Sequence, residues 1–195
     1  MKAKLVVPER LDEITLKQYI DFLDVNHDRN ELEVLREIIS ILCTGDMRVV
    51  DSMSLGQLKE VSDILNKLIS ETKTPYTPIV TIDGQQFGFI PKLNEITVGE
   101  YSDLELYFDD KYYKNLHRIM AILYRPVASI HKDLYSIENY QGSDKYADYF
   151  LTHFPVSVVN GALLFFFNLG NELSKITSGY TSQKTKKKAQ TSSPN

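Results

Sequence analysis

No disulfide can form within this chain, because Cys43 is its single cysteine. That residue closes the apolar row Ile38-Ile39-Ser40-Ile41-Leu42-Cys43, a setting that predicts a buried thiol and is compatible with a reducing compartment. Tryptophan is absent as well, so the aromatic content rests on 12 Tyr and 9 Phe. No hydrophobic run reaches the roughly 20 residues a membrane-spanning helix needs. The most apolar stretch, Val156–Leu169, is interrupted by Ser157, Asn160 and Gly161. The first residues, Met1-Lys-Ala-Lys-Leu-Val-Val-Pro8, lack the apolar core of a secretory signal, and none is expected.

Chemical motifs are equally scarce. The chain has no Gly-x-x-x-x-Gly-Lys-Ser/Thr phosphate loop, no Gly-x-Ser-x-Gly nucleophile elbow and no Gly-x-Gly-x-x-Gly dinucleotide turn. His27, His117, His131 and His153 show no metal-ligand spacing with one another or with Cys43. Asp24-Val-Asn26-His-Asp28-Arg-Asn30 places oxygen ligands at alternate positions, as a calcium loop does. Arg29 and Leu35, however, stand where such a loop needs its glycine and its bidentate glutamate. Asp109-Asp110 reads as a loop at a helix end. The expectation is therefore a non-enzymatic protein with no catalytic residues, no cofactor and no metal.

What the chain does contain is a repetition. Leu11-Asp-Glu-Ile-Thr-Leu-Lys-Gln-Tyr-Ile-Asp21 returns as Leu93-Asn-Glu-Ile-Thr-Val-Gly-Glu-Tyr-Ser-Asp103, at an offset of 82, with six of eleven positions identical. Leu35-Arg-Glu-Ile-Ile-Ser-Ile-Leu42 returns as Leu116-His-Arg-Ile-Met-Ala-Ile-Leu123, at an offset of 81. Fixed-period similarity points to a repeated structural unit of roughly 80 residues; the alternative is that good helix starts converge on the same letters. The shared letters have a physical reading. Thr15 with Gln18, Thr97 with Glu100 and Ser54 with Gln57 each have capping-box spacing, in which the hydroxyl and the longer side chain satisfy each other's backbone N–H at a helix start. Helical spacing of apolar residues then predicts helices over about 16–23, 31–43, 55–70, 98–108 and 112–124.

The periodicity changes between the two copies. Pro78-Ile-Val-Thr-Ile82, Asp83-Gly84 and Gln85-Gln-Phe-Gly-Phe-Ile90 predict a β-hairpin with a type I′ turn, Val80 facing Phe87 and Pro78 facing Phe89. Residues 1–13 read as an arm. Arg125-Pro126 reads as a helix stop, and 127–142 as irregular. A helix over 144–153 capped by Ser143 is expected, then a last helix opened by Phe154-Pro155 and running to about Ile176.

Together these signals predict a mainly α fold. Residues 1–176 form a single helical domain with pseudo-repeats at about 11–70 and 93–176. A β-hairpin at 76–91 joins them, and the last helix forms a hydrophobic centre surrounded by its neighbours. Three adjacent residues, Phe165, Phe166 and Phe167, span too wide an arc of that helix for one core face, making them candidates for partner contact.

Charge is unevenly placed. The net charge is −4, and from Thr177 onward the chain carries Lys184, Lys186, Lys187 and Lys188 with no acid, which leaves −8 on the remainder. An acidic body with a basic tail does not match a dedicated nucleic-acid-binding domain. Residues 177–195 are expected to be a disordered Lys-rich tail. Those four lysines are candidate contacts for nucleic acid or an acidic partner, giving the alternative reading of a nucleic-acid-associated adaptor.

Three segments carry a resemblance: Pro91-Lys-Leu-Asn-Glu-Ile-Thr-Val-Gly-Glu-Tyr-Ser-Asp-Leu-Glu105, His117-Arg-Ile-Met-Ala-Ile-Leu-Tyr-Arg-Pro126, and Pro155 with Gly161-Ala-Leu-Leu-Phe-Phe-Phe167. Over roughly residues 75–175 the chain resembles small helical virion and tail-assembly proteins of tailed bacteriophages of the crAss-like kind. The resemblance implies a morphogenesis protein, such as a tail assembly chaperone or small virion component, that acts through protein–protein contacts. It implies partners among other phage structural proteins or further copies of itself, with residence in the host cytoplasm during assembly or in the virion. It transfers no site residues.

Overall fold

The computed structural model describes residues 4–70, 74–109, 111–132 and 134–167. Its fold is mixed, not mainly α. Strands β1 (Leu5–Val6) and β2 (Thr44–Gly45) form a two-stranded antiparallel sheet. Strands β3 (Ile79–Ile82), β4 (Gln85–Phe89), β5 (Tyr124–His131) and β6 (Leu134–Ile137) form a second antiparallel sheet in that order. Helices α1 (Leu16–Leu23), α2 (Glu31–Leu42), α3 (Arg48–Asp51), α4 (Leu55–Ile69), α5 (Val98–Tyr107), α6 (Leu116–Leu123) and α7 (Asp144–His153) follow the chain, with α8 over 156–167. Short 3₁₀ turns at Leu11–Glu13 and Leu93–Glu95 precede α1 and α5, and another at Tyr112–Asn115 leads into α6.

All three capping boxes form. The Thr15, Ser54 and Thr97 hydroxyls accept from the backbone N–H groups of Gln18, Gln57 and Glu100, whose side chains reach back to the cap N–H. Ser143 behaves otherwise. It precedes α7 without a capping bond, and its hydroxyl donates instead to the Tyr107 hydroxyl at 3.3 Å.

The hairpin also forms, with Val80 opposite Phe87. Asp83 (φ 48°) and Gly84 (φ 81°) supply the left-handed turn. Its place in the architecture corrects the expectation, because it is not a linker laid between helical units. β4 continues into the wider sheet by pairing with β5, at Phe87–Pro126, Gly88–Arg125 and Phe89–Tyr124. The helix stop at Arg125-Pro126 is thus the opening of a strand inside a sheet, and 127–142 is largely β5 and β6. Pro126 is tolerated there for a geometric reason. The Ile90 N–H donates to the Leu123 carbonyl at 2.8 Å, so alternation puts Arg125 in a hydrogen-bonded pair with Gly88 and Pro126 in a non-hydrogen-bonded pair with Phe87. The missing N–H therefore costs no bond to β4. The Pro126 carbonyl accepts from Glu138 just past the end of β6.

The repeated letters carry the same local order twice: strand, 3₁₀ turn, capped helix, second helix, strand. In the first unit β1 pairs back to β2, with Leu5 opposite Gly45 and Val6 opposite Thr44. Offsets of 82 and 81 map these onto Phe87–Pro126 and Gly88–Arg125, which are the pairs observed between β4 and β5. Each unit is therefore bounded by strands and not purely helical. Residues 5–13, read as an arm, are the first strand and turn of unit one.

Two apolar clusters hold the molecule together. One gathers Ile14, Val34, Ile38, Ile39, Leu42, Leu58, Leu65 and Val156, and the other Leu16, the sheet residues Val80, Phe87, Phe89 and Tyr124, α6, and Phe150, Phe154 and Val159. Cys43 is buried as expected, and desolvation pushes its thiol up to about 11.

α8 is not surrounded by neighbours along its described residues: Val156, Val158, Val159 and Ala162 are buried, while Leu164 and Phe167 are 52% and 45% exposed. A helix with one side left open is amphipathic rather than central. Gly161 is buried as well, and an added Cβ there would lie 2.4 Å from the Pro75 carbonyl oxygen. Replacement Gly161→Ala is expected to push α8 off this strand-entry segment and cost about 1–3 kcal/mol, read as a lowered midpoint in thermal denaturation.

Candidate functional site

The N3 residue of each repeated capping box does a second job. In unit one the Gln18 amide donates to the Ile41 carbonyl at 3.0 Å, tying the start of α1 to the end of α2. In unit two the equivalent residue is Glu100. Its Oε2 accepts from the Thr97 N–H at 2.6 Å and the Thr97 hydroxyl at 2.7 Å, while Oε1 accepts from Arg125 Nη1. Arg125 stands on β5 at the position equivalent to Thr44. The pair is almost fully buried, with Glu100 3% and Arg125 8% exposed.

Gly88, opposite Arg125, has no side chain, and the Tyr135 ring fills the space: a Cβ there would come within 2.6 Å of it. The Tyr135 hydroxyl donates to the Phe89 carbonyl at 2.8 Å. On the other flank the Arg125 guanidinium lies 5.6 Å from the Tyr140 ring centre. An open cleft of about 370 Å³ results, with Thr97, Glu100, Arg125, Tyr135, Ile137 and Tyr140 in its walls.

One polar demand in this cleft is unmet. Arg125 Nε is buried and has no acceptor among the described residues. Such a group costs about 1–3 kcal/mol until something accepts from it. The Glu100 carboxyl is pushed up by burial, but the Thr97 donors and Arg125 outweigh that and leave it below the ordinary glutamate value.

The wall at Thr97 leads to a surface that differs between the units. In unit one, Ile14-Thr15-Leu16 is covered by an antiparallel bridge to Phe154-Pro155-Val156: the Leu16 N–H donates to the Phe154 carbonyl at 3.0 Å, and the Val156 N–H to the Ile14 carbonyl at 3.1 Å. In unit two no bridge among the described residues covers the equivalent Ile96-Thr97-Val98, although Ile96 packs partly against the sheet-side cluster. Leu16 is 0% exposed and its counterpart Val98 is 83% exposed. Leu11 and Ile14 are buried, whereas Leu93 and Ile96 are only partly so. Half-buried Tyr19 corresponds to Tyr101, which is 58% exposed.

The residues singled out in the sequence fall elsewhere. Phe165 stacks on Tyr76 at 4.1 Å and meets Phe89 edge-on at 5.7 Å. Phe166 stacks on Phe108 at 5.6 Å, and Phe167 meets the same ring edge-on. Phe165 and Phe166 are half-buried and packed against the sheet-side cluster, so of the three only Phe167 is broadly exposed. Lys184, Lys186, Lys187 and Lys188 lie outside the described residues, as does the expected stretch of helix from 168 to 176. Asp24 accepts from Tyr113 and Lys114 at 2.9 and 2.7 Å, Asn26 accepts from the Asp28 N–H, and Asn30 caps α2, so these three side chains of the 24–30 loop are engaged within the protein. Among the described residues no cluster of His, Cys, Asp and Glu is placed to hold a metal ion, and no helix is long and apolar enough to cross a membrane. Neither Arg125 nor Val98 was picked out from the sequence. The signal available was the departure from the repeat, Gln18 to Glu100 and Thr44 to Arg125, which exchanges two neutral residues for an ion pair.

Comparison with known proteins finds no matching family model, no matching curated protein and no matching solved structure.

Glu100→Gln retains a capping side chain, as Gln18 shows, but leaves Arg125 buried without a carboxylate. The expected loss at neutral pH is about 3–5 kcal/mol. Because the folded Glu100 value is depressed, its stabilisation is present above the ordinary glutamate pKa and lost as pH falls through the lower folded value. Chemical denaturation across that acid range should show a shallower pH slope in Glu100→Gln than in the parent.

Proposed function

We propose that this protein is a non-enzymatic morphogenesis factor of a tailed bacteriophage, a tail assembly chaperone or small virion component that works by docking to other proteins. One observation carries the docking reading: among the described residues, no segment bridges the face of the second unit that the first unit covers with 154–156. Val98 and Tyr101 project an apolar surface at positions whose equivalents, Leu16 and Tyr19, are packed. Burying a large apolar side chain at such a face stabilises a complex by about 1.5–3 kcal/mol. The phage assignment comes from the sequence resemblance over residues 75–175 and gives the docking reading its class of partner: other structural proteins of the same particle.

Affinity capture with the tagged full-length chain, from cells infected by the phage that encodes it, is expected to recover virion structural proteins identifiable by mass spectrometry. Recovery of host proteins alone, or of none, would count against the reading.

A further inference from the structure

The first unit supplies a template for what the second receives. Phe154-Pro155-Val156 reaches Ile14-Thr15-Leu16 as a short extended segment, held by two backbone hydrogen bonds and by side chains entering both apolar clusters. The receiving groups are the Leu16 N–H, at the first position of α1, and the Ile14 carbonyl. Their counterparts, the Val98 N–H at the first position of α5 and the Ile96 carbonyl, make no hydrogen bond among the described residues. Around them the backbone is already in place: Thr97 has φ −75° and ψ 160°, against −76° and 158° at Thr15. The centre of the edge is therefore set before anything occupies it, while Ile96, at φ −58° and ψ 133° against −97° and 122° at Ile14, turns its carbonyl differently.

A second observation points to the same place. Thr97 lines the cleft whose wall holds Arg125, and the Arg125 Nε–H lacks an acceptor while its side chain is nine-tenths buried. Glu100 occupies Nη1 only. The edge offers a donor and an acceptor to a backbone, and the adjoining guanidinium calls for one more acceptor.

We propose that Ile96–Val98 is the receiving edge for an extended apolar segment of a partner protein. The segment binds antiparallel, as Phe154–Val156 binds Ile14–Leu16. A carbonyl or carboxylate oxygen of it enters the cleft, where the Arg125 guanidinium must turn its buried Nε–H outward to donate to it. The partner's signature is two apolar side chains flanking a central residue that needs no hydrogen bond to this edge, the role Pro155 plays within the chain. This inference rests on the docking reading and adds where and how docking occurs. Recognition by edge pairing takes affinity from the main chain and selectivity from the flanking pockets.

The test uses a substitution that deletes one donor and little else. Proline is accommodated at the first position of a helix, where its fixed φ suits the backbone, and the preceding Thr97 is extended, as a residue before proline prefers. Val98→Pro should therefore keep the parental melting temperature while removing the N–H the partner segment requires. Capture from infected cells should then lose the virion protein by about tenfold, whereas Val98→Ile, which keeps both the N–H and the apolar side chain, should recover it at the parental level. A photo-crosslinking residue at Tyr101 should mark an extended segment of that same protein, and one at exposed Leu55 on α4 should not. Undiminished capture by a folded Val98→Pro overturns this edge while leaving the docking reading standing. So does a Tyr101 crosslink to a second copy of this chain. Failure of the parent itself to capture virion proteins removes both.

Discussion

The architecture depends on one short antiparallel contact, between Ile14-Thr15-Leu16 and Phe154-Pro155-Val156. Leu16 and Phe154 enter the sheet-side cluster, while Ile14 and Val156 enter the cluster built on α2 and α4, so this contact ties the two cores together. Two backbone hydrogen bonds fix its register. Thr15 sits at the centre of this contact and also caps α1, so the residue that starts the helix also sets where the second half of the chain lies against the first. Tyr19, one turn further on, packs against both clusters.

The capping boxes show how the same local solution is put to different tertiary uses. A Gln at N3 carries both an acceptor and a donor, so Gln18 closes its own cap and spends its amide on the end of α2. A Glu has only acceptors to offer. Glu100 can close the cap equally well, but its second oxygen must find a donor, and Arg125 provides it. Exchanging Gln for Glu thus draws a cation into the sheet. The cleft lies beside that cation, and the glycine at 88 makes space for Tyr135 in its wall.

Local structure was legible in the letters wherever a side chain acts on its own backbone. The three caps marked helix starts, and Asp83-Gly84 marked the hairpin with its register. Structure that depends on distant pairing was not legible. β1 and β2 are two residues each and leave no periodic trace, and Pro126 hides a strand because its tolerance there depends on which neighbour its nitrogen faces. α8 reads as apolar all round, yet Leu164 and Phe167 face outward; composition reports hydrophobicity, whereas burial depends on what lies opposite. The candidate site was invisible for the same reason. Nothing in Ile96-Thr97-Val98 distinguishes it from Ile14-Thr15-Leu16 until one is seen covered and the other bare.

That difference is informative because it separates two causes of exposure. A lone exposed valine or tyrosine on a protein surface needs no explanation. Here Leu93, Ile96, Val98 and Tyr101 are together more exposed than Leu11, Ile14, Leu16 and Tyr19, while helix start, turn and strand register are the same in both units. The local fold therefore does not cause the exposure. Among the described residues, what differs is the presence of a covering segment, supplied in one unit by the chain's own 154–156. The edge beside α5 keeps the Thr97 backbone geometry of that contact, with the Val98 N–H and the Ile96 carbonyl left without a protein partner among the described residues.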